Sequence, residues 1–220
     1  NTKQGKNLIG TIYQPKKVIS DISLLTTLPK RDFLAGYAEI LKYGILGNSE
    51  FYNWLEYNGK KVISGDKNAI GHAVLNSVIN KAKIISDDER ELGRRAILNL
   101  GHTFAHALEA ELGYDGRLLH GEAVSIGMVI AMDLSVKIGT CPKEDAVRVY
   151  DHLKSIGLPV TLPTGHDWNI QTLLNHMRQD KKVKNGEINF VISNGIGNSS
   201  LTNNINEKEL IEVLEKHLVK

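Results

Sequence analysis

LNLGHTFAHALE, Leu98 to Glu109, is the stretch that decides how this chain is read. Asn99, His102 and His106 are spaced by three and then four, so a helix would place all three on one face. An ordinary buried face would carry Leu or Ala there, and polar side chains in that row point to a wet, functional pocket. Two other segments supply what the row lacks: AEILKYG (Ala38 to Gly44) holds Glu39, and LHGEAV (Leu119 to Val124) holds His120. Two histidines and one carboxylate are a usual ligand set for a catalytic zinc-like ion, which keeps a position open for water or substrate. His102, His106 and His120, read together with Glu39, therefore contain the expected metal ligands.

Outward from this stretch the pattern is mainly helical. LPKRDFLAGYAEILKYGIL reads as a helix starting after Pro29, with Phe33, Leu34, Tyr37, Ile40 and Leu41 as its apolar stripe. A second helix covers roughly Asn48 to Glu56. A third runs from about Ala69 to Ser86, with Ile70, Ala73, Val74, Ser77, Val78 and Ala82 along one side. The fourth holds the histidines and ends near Gly113, and a fifth runs from His120 to about Ile138. Three more are expected near Glu144 to Ile156, Asn169 to Arg178, and Glu207 to His217, the last with Asn206 as N-cap. Only GEINFVISNGIG (Gly186 to Gly197) reads as strand, because Ile188, Phe190 and Ile192 alternate with polar or smaller residues before an Asn-Gly turn. The fold expected is a mainly α, multi-helix domain over 19–220 with a small β-hairpin. Residues 1–18 carry two glycines, a proline and an extended apolar stretch, and read as a connecting segment.

Bulk properties narrow the function. A chain of 220 residues can bury one good core. Its 27 basic and 25 acidic residues give a net charge of +2 with no long basic run, so a nucleic-acid surface is not indicated. The longest apolar stretch, roughly Ala123 to Leu134, contains Ser125 and Asp133 and is too short to span a bilayer; it reads as a helix buried on most sides. The single cysteine, Cys141, excludes an internal disulfide framework and fits a reducing cytoplasm; beside Pro142 it reads as a bystander thiol. The first residues, NTKQGKN, are polar and form no signal peptide, and the absence of an initiator Met reads as a processed product or a piece of a longer protein.

Several neighbours of the triad carry charge. Glu39 and Lys42 lie three apart in an otherwise apolar helix; a buried carboxylate there needs a metal, a cation or hydrogen bonds, while an exposed one would simply pair with its neighbour. Gly36 and Gly44, each unfavourable inside a helix by about 1 kcal/mol, point to close packing or ligand approach. His102 and His106 have the spacing of the peptidase HExxH pair, but Thr103 stands where that chemistry needs a Glu, which disfavours a zinc peptidase. His120, followed by Gly121 and Glu122, leaves room for a ligand at a helix N-terminus. Upstream, KAKIISDDERELGRRA places Glu91, Arg95 and Asn99 four apart, leading into the His102 face, and a guanidinium beside a metal pocket suits phosphate or carboxylate. DKKVKNGE offers Lys181 and Lys182 next to the hairpin.

Taken together, AGYAEILKYG, DERELGRRAILNLGHTFAHALE, LLHGEAVSIGM and DKKVKNGEINFVI resemble the 3-dehydroquinate synthase family, and GKNLIGTIYQP and LLTTLP fit it too. The resemblance runs from Gly5 to at least Gly197. It implies the C-terminal, mainly helical metal domain of a dehydroquinate synthase-like fold, whose Rossmann-like NAD-binding domain is missing here. It also implies conversion of 3-deoxy-D-arabino-heptulosonate 7-phosphate to 3-dehydroquinate and phosphate in the shikimate pathway, with NAD reduced and reoxidised in each turnover.

Residue by residue, the resemblance makes Glu39, His102 and His120 ligands of zinc or cobalt, agreeing with the reading from residue types. Lys42, Lys81, Arg95 and Asn99 become substrate contacts, as do Asn7 and one of Lys181 or Lys182. His106 and Glu91 become proton-transfer residues. Lys6 and Leu24, Leu25, Thr26 and Thr27 become the edge of the NAD site. A homodimer is implied as well. No glycine-rich dinucleotide loop occurs in the chain, so it is expected to bind metal but turn over little substrate alone. Two rivals share parts of the pattern: related sugar-phosphate cyclases making inosose or valiolone precursors, and a non-catalytic helical metal-binding module. A histidine-aspartate phosphohydrolase is a weaker rival, since its pair, His166 and Asp167, lies outside the constellation.

Overall fold

A computed structural model describes residues 9–10, 13, 15–88, 93–179 and 188–218. After a 3₁₀ turn at Ile22–Thr27 come helices α1 (Lys30–Gly47), α2 (Ser49–Ile63) and α3 (Lys67–Asp87). A 3₁₀ segment, Arg94–Asn99, leads to α4 (His102–Glu111), followed by α5 (His120–Lys137), α6 (Lys143–Ile156) and α7 (Ile170–Gln179). A hairpin of β1 (Phe190–Ser193) and β2 (Ser199–Thr202) precedes α8 (Glu207–Leu218).

Local chemistry sets most boundaries. Pro29 and Pro142 stand directly before α1 and α6, where a missing N–H costs nothing. Asn48 accepts the Phe51 N–H at 2.9 Å, Asp66 that of Ala69 at 2.8 Å, and Asn206 that of Lys208 at 2.9 Å, so α2, α3 and α8 have side-chain caps. Each such cap contributes about 1 kcal/mol. α2 runs a full two turns beyond the expected end at Glu56, because Gly59 packs rather than breaks it: a Cβ there would meet the Tyr37 hydroxyl at 2.4 Å.

α5 is the central post. It is buried along nearly its whole length, as its apolar sequence requires, and packs against α4, α1, α6, α8 and β1. Glycines set how closely the helices cross. A Cβ on Gly127 would lie 2.2 Å from the Gly101 carbonyl oxygen, one on Gly121 would lie 1.9 Å from the Ala35 carbonyl oxygen, and one on Gly44 would lie 2.8 Å from the Tyr52 Cα. These approaches draw α4, α1 and α2 into backbone contact and bring the starts of α4 and α5 up against α1. Gly36 has open space around it, so close packing explains Gly44 but not Gly36.

β1 and β2 pair antiparallel, Phe190 with Thr202 through Ser193 with Ser199. All four β1 residues are buried, contrary to the expected alternation, because α5 lies on one side of the strand and the Arg94–Asn99 segment also touches it. The hairpin loop is held by Gly197 N–H donating to the Ile45 carbonyl at 2.8 Å. No helix among the described residues is long and apolar enough to cross a membrane.

Candidate metal centre

Glu39 leaves α1 on the side facing the starts of α4 and α5, where His102 and His120 are each the first helical residue. One ligand atom from each of the three lies within 4.8 Å of the others. Both Nε2 atoms face the same carboxylate oxygen, Glu39 Oε1, at 3.3 Å from His102 and 3.5 Å from His120. Neither approach has hydrogen-bond geometry, so Oε1 is a buried oxygen without a hydrogen-bond partner. The Nδ1 atoms are engaged elsewhere. That of His102 lies 3.2 Å from the Leu100 carbonyl, and that of His120 lies 3.3 Å from Glu109 Oε2. With both acceptors taking a proton from Nδ1, each Nε2 presents a lone pair to an anionic oxygen. Three electron-rich atoms crowded together and short of donors are a fit for a divalent cation.

Electrostatics agree. Burial would raise the Glu39 carboxyl, but the facing imidazoles of His102 and His120 and the Lys42 ammonium outweigh it and hold the group well below the usual carboxylate range. Burial lowers His102, favouring its neutral, ligating form. His120 goes the other way, up to about 9, through its bonds to Glu109 and then Glu39. The second proton that this shift favours sits on Nε2, and a cation arriving there would displace it and leave the proton on Nδ1. Lys42 is 4% exposed and sits 2.6 Å from Glu39 Oε2. Burial lowers the Lys42 ammonium, Glu39 opposes that, and nearby Lys81 on α3 depresses it further. The pairing of Glu39 with Lys42 is present: its Lys42 end is buried, its Glu39 end is partly exposed, and it uses the oxygen that the imidazoles leave over.

Two expectations about helix register fail. Gly101 takes a left-handed conformation, φ 78, between Asn99 and His102, so Asn99 belongs to the preceding 3₁₀ segment and not to the α4 face. Arg95 and Asn99 lie on that same segment, whose three-residue turn does not align positions four apart as an α-helix does. The segment packs on α3 and α1. Asp88 Oδ2 accepts from Gly93 N–H at 2.8 Å and Arg95 N–H at 2.9 Å, and the Asn99 amide donates to the Ala96 carbonyl at 3.0 Å. Gly121 corrects a third reading: its missing side chain makes way for the Ala35 carbonyl, not for a ligand.

His106 follows His102 by one turn of α4, the ring centroids 5.5 Å apart, and its ring stands 6.1 Å from that of His120. Leu24 to Thr27 form part of the first 3₁₀ turn, beside a groove of about 340 Å³ lined by Ile22, Leu25, Thr26, Phe33, Ile63 and Ile70. An adjoining hollow shares Leu25, Phe33 and Ile70 and reaches Ile40, next to Glu39. Lys6, Asn7, Glu91, Lys181 and Lys182 lie outside the described residues. His166 is placed well away from the triad in sequence and contact, on Glu111 at 3.2 Å, with His176 on the other Glu111 oxygen at 3.0 Å. The residue that sequence reasoning passed over is Glu109. It is buried, and His120 Nδ1 rests on it. Its spacing held the signal: Glu109 follows His106 by three and His102 by seven, on one helical stripe.

Family models described as 3-dehydroquinate synthase C-terminal and 3-dehydroquinate synthase N-terminal match residues 36–183 and 1–35. The 3-dehydroquinate synthase of Rhodospirillum rubrum is 52% identical over 204 residues, which is 91% of this chain and 53% of that protein. That of Ruegeria sp. (strain TM1040) is 48% identical over 220 residues, covering 99% of this chain and 59% of that protein. The chain thus spans between half and two thirds of these relatives' length. Among solved structures, 2-deoxy-scyllo-inosose synthase complexed with carbaglucose-6-phosphate, NAD+ and Co2+ is similar in fold, with TM-score 0.82, 23% identity, 99% of this chain and 61% of that one. The 2-epi-5-epi-valiolone synthase of Streptomyces hygroscopicus subsp. jinggangensis 5008, with NAD+ and Zn2+ bound, has TM-score 0.77 and 25% identity, covering 88% of this chain and 53% of that one.

Proposed function

Because this chain belongs to the 3-dehydroquinate synthase family, we propose that it supplies the metal- and substrate-binding part of an enzyme converting 3-deoxy-D-arabino-heptulosonate 7-phosphate to 3-dehydroquinate and phosphate in the shikimate pathway. The observation carrying this reading is the partnerless Glu39 Oε1 with two imidazole Nε2 atoms turned towards it. Glu39, His102 and His120 would hold zinc or cobalt, which supplies Lewis acidity to substrate hydroxyl oxygens. NAD, bound mainly outside this chain, would take and return a hydride.

The chain's own residues bind and orient. Lys42, buried and already paired, keeps a fixed ammonium beside the triad, suited to a substrate hydroxyl or carboxylate. Lys81, close enough to depress Lys42, adds a second cation on the α3 side. Arg95 would bind phosphate or carboxylate through its planar fork, with Asn99 donating to substrate oxygens. Asn7 and one of Lys181 or Lys182 would complete the contacts. His106, one turn from His102, and Glu91 would move protons. Lys6 and Leu24 to Thr27 would border the nicotinamide cofactor, and the groove beside that turn supports the assignment. We carry the division into a connecting segment over 1–18 and a helical domain over 19–220 into this reading, together with a cytoplasmic homodimer that engages neither nucleic acid nor membrane.

Related sugar-phosphate cyclases share the fold, but the identity to named 3-dehydroquinate synthases, 52% against 23%, favours the heptulosonate substrate. The test is phosphate release by the full-length protein carrying this chain, comparing the heptulosonate phosphate with glucose 6-phosphate and sedoheptulose 7-phosphate. Release from the first alone is expected, and release from either of the others instead would overturn the assignment. The 220-residue chain by itself is expected to bind cobalt or zinc and to release little or no phosphate.

A further inference from the structure

We propose that Glu109 is a positioning residue for the metal centre: its buried carboxylate accepts the Nδ1 proton of His120 and thereby fixes the tautomer and ring direction that aim Nε2 at Glu39 Oε1. The inference rests on the triad reading above and adds a residue to it. His120 needs such a partner more than His102 does. The His102 side chain is 11% exposed and its Nδ1 is set by the Leu100 carbonyl of its own chain turn, whereas the His120 side chain is 45% exposed. Packing alone would leave the His120 ring free to turn. Glu109, with a side chain 6% exposed on the last turn of α4, reaches across to the first residue of α5 and bonds it at 3.3 Å.

The same stripe of α4 offers a competing arrangement. His106, Glu109 and His120 also have ligand atoms within 4.8 Å of one another, and such a set could hold an ion of its own. His120 cannot offer one Nδ1 both as donor to Glu109 and as lone pair to a cation. The contact at Glu109 Oε2 together with the convergence of Nε2 on Glu39 favours the donor role, which leaves Glu109 outside the coordination shell.

The experiment titrates the metal-free 220-residue chain with Co2+, following the visible d–d bands, with Zn2+ competition for affinity and long-range 1H–15N NMR of the imidazoles for the protonated nitrogen. Expected is one ion per chain, His120 protonated at Nδ1, and loss of that ion in Glu39→Ala and His120→Ala. Glu109→Leu should weaken affinity by about 10- to 100-fold, alter the cobalt bands and scramble the His120 tautomer. Glu109→Gln keeps an acceptor oxygen and should fall between Leu and the parent. Its milder change keeps the test open if the Leu variant does not fold. Parent-like affinity, bands and tautomer in both Glu109 variants would overturn the proposal while leaving the triad intact. Two ions per chain, with one lost in Glu109→Gln, would overturn it by making Glu109 a ligand. Undiminished binding in Glu39→Ala and His120→Ala would overturn the triad reading, and this proposal with it.

Discussion

The backbone of Gly121 rests against the carbonyl of Ala35 so closely that a Cβ would stand 1.9 Å from its oxygen. His120 precedes Gly121 and Glu39 lies one turn after Ala35, so this contact sets the distance between two of the three donors. Gly121→Ala is expected to lower stability by about 2–3 kcal/mol and to weaken cobalt binding, since α5 can only move away from α1. Gly36→Ala, on α1 beside Ala35 but facing open space, should gain up to about 1 kcal/mol. Urea unfolding of the two variants checks both signs. Equal effects would show that helix propensity, not contact, governs these positions.

Arg31 joins the first turn of α1 to the first turn of α5. Its guanidinium binds both Glu122 oxygens at 2.6 Å, and Glu122 in turn accepts the Leu119 N–H at 2.8 Å. Arg31 is half exposed, so Arg31→Ala should cost at most about 1 kcal/mol of stability. Cobalt affinity should fall several-fold more in low salt than in high salt, because the residue before His120 loses its anchor. Binding isotherms at two ionic strengths decide it; an affinity unchanged at both would remove Arg31 from any role at the metal centre.

Acid should unfold the chain partly through His152. Burial between Tyr37 and Tyr52 pushes its pKa down to about 4, with Nε2 2.9 Å from the Tyr37 hydroxyl. In the unfolded chain the imidazole protonates near its ordinary 6.5, so between about 6.5 and 4 the unfolded state binds the extra proton. Stability therefore falls as pH falls through that window, by about 3 kcal/mol in total. His152→Gln should flatten this part of the urea-unfolding profile. The Asp133 carboxyl, which burial would raise but His217 and Lys216 hold down, adds a loss at lower pH that the variant should retain.

Glu111, at the end of α4, fastens the segment before α7 by bonding His166 with one oxygen and α7 itself by bonding His176 with the other. Glu111→Leu would leave two partly buried imidazoles without their acceptor, at a cost of about 1–3 kcal/mol. Amide exchange should quicken through Ile170–Gln179 and stay slow in α5. Uniform acceleration across the molecule would instead mean that α7 opens only with the whole fold.

The parts legible in the sequence were those written in residue type and period. The helices and the hairpin follow from apolar spacing, ligand chemistry points to Glu39 and the histidines, the family resemblance selects His102 and His120 among them, and the fold brings those three together. What the sequence hid was tertiary. A glycine before His102 reads as a tolerated helix residue, yet Gly101, with the Met128 backbone where a Cβ would stand, is the point where the chain turns left-handed and restarts. That break moved Asn99 and Arg95 off the face assigned to them. β1 lost its alternation because both its sides are covered. Glu109 lay within the first motif quoted, but a carboxylate three residues beyond a histidine looks solvated until α5 is seen to close over it.

The three donors come from the first, fourth and fifth helices, so no short segment of this chain can gather an ion as a zinc finger does. Coordination by these three would have to wait until helices distant along the chain have docked, so metal loading is expected late and not as a nucleus for folding. A chelator should then strip the ion and leave the helices standing.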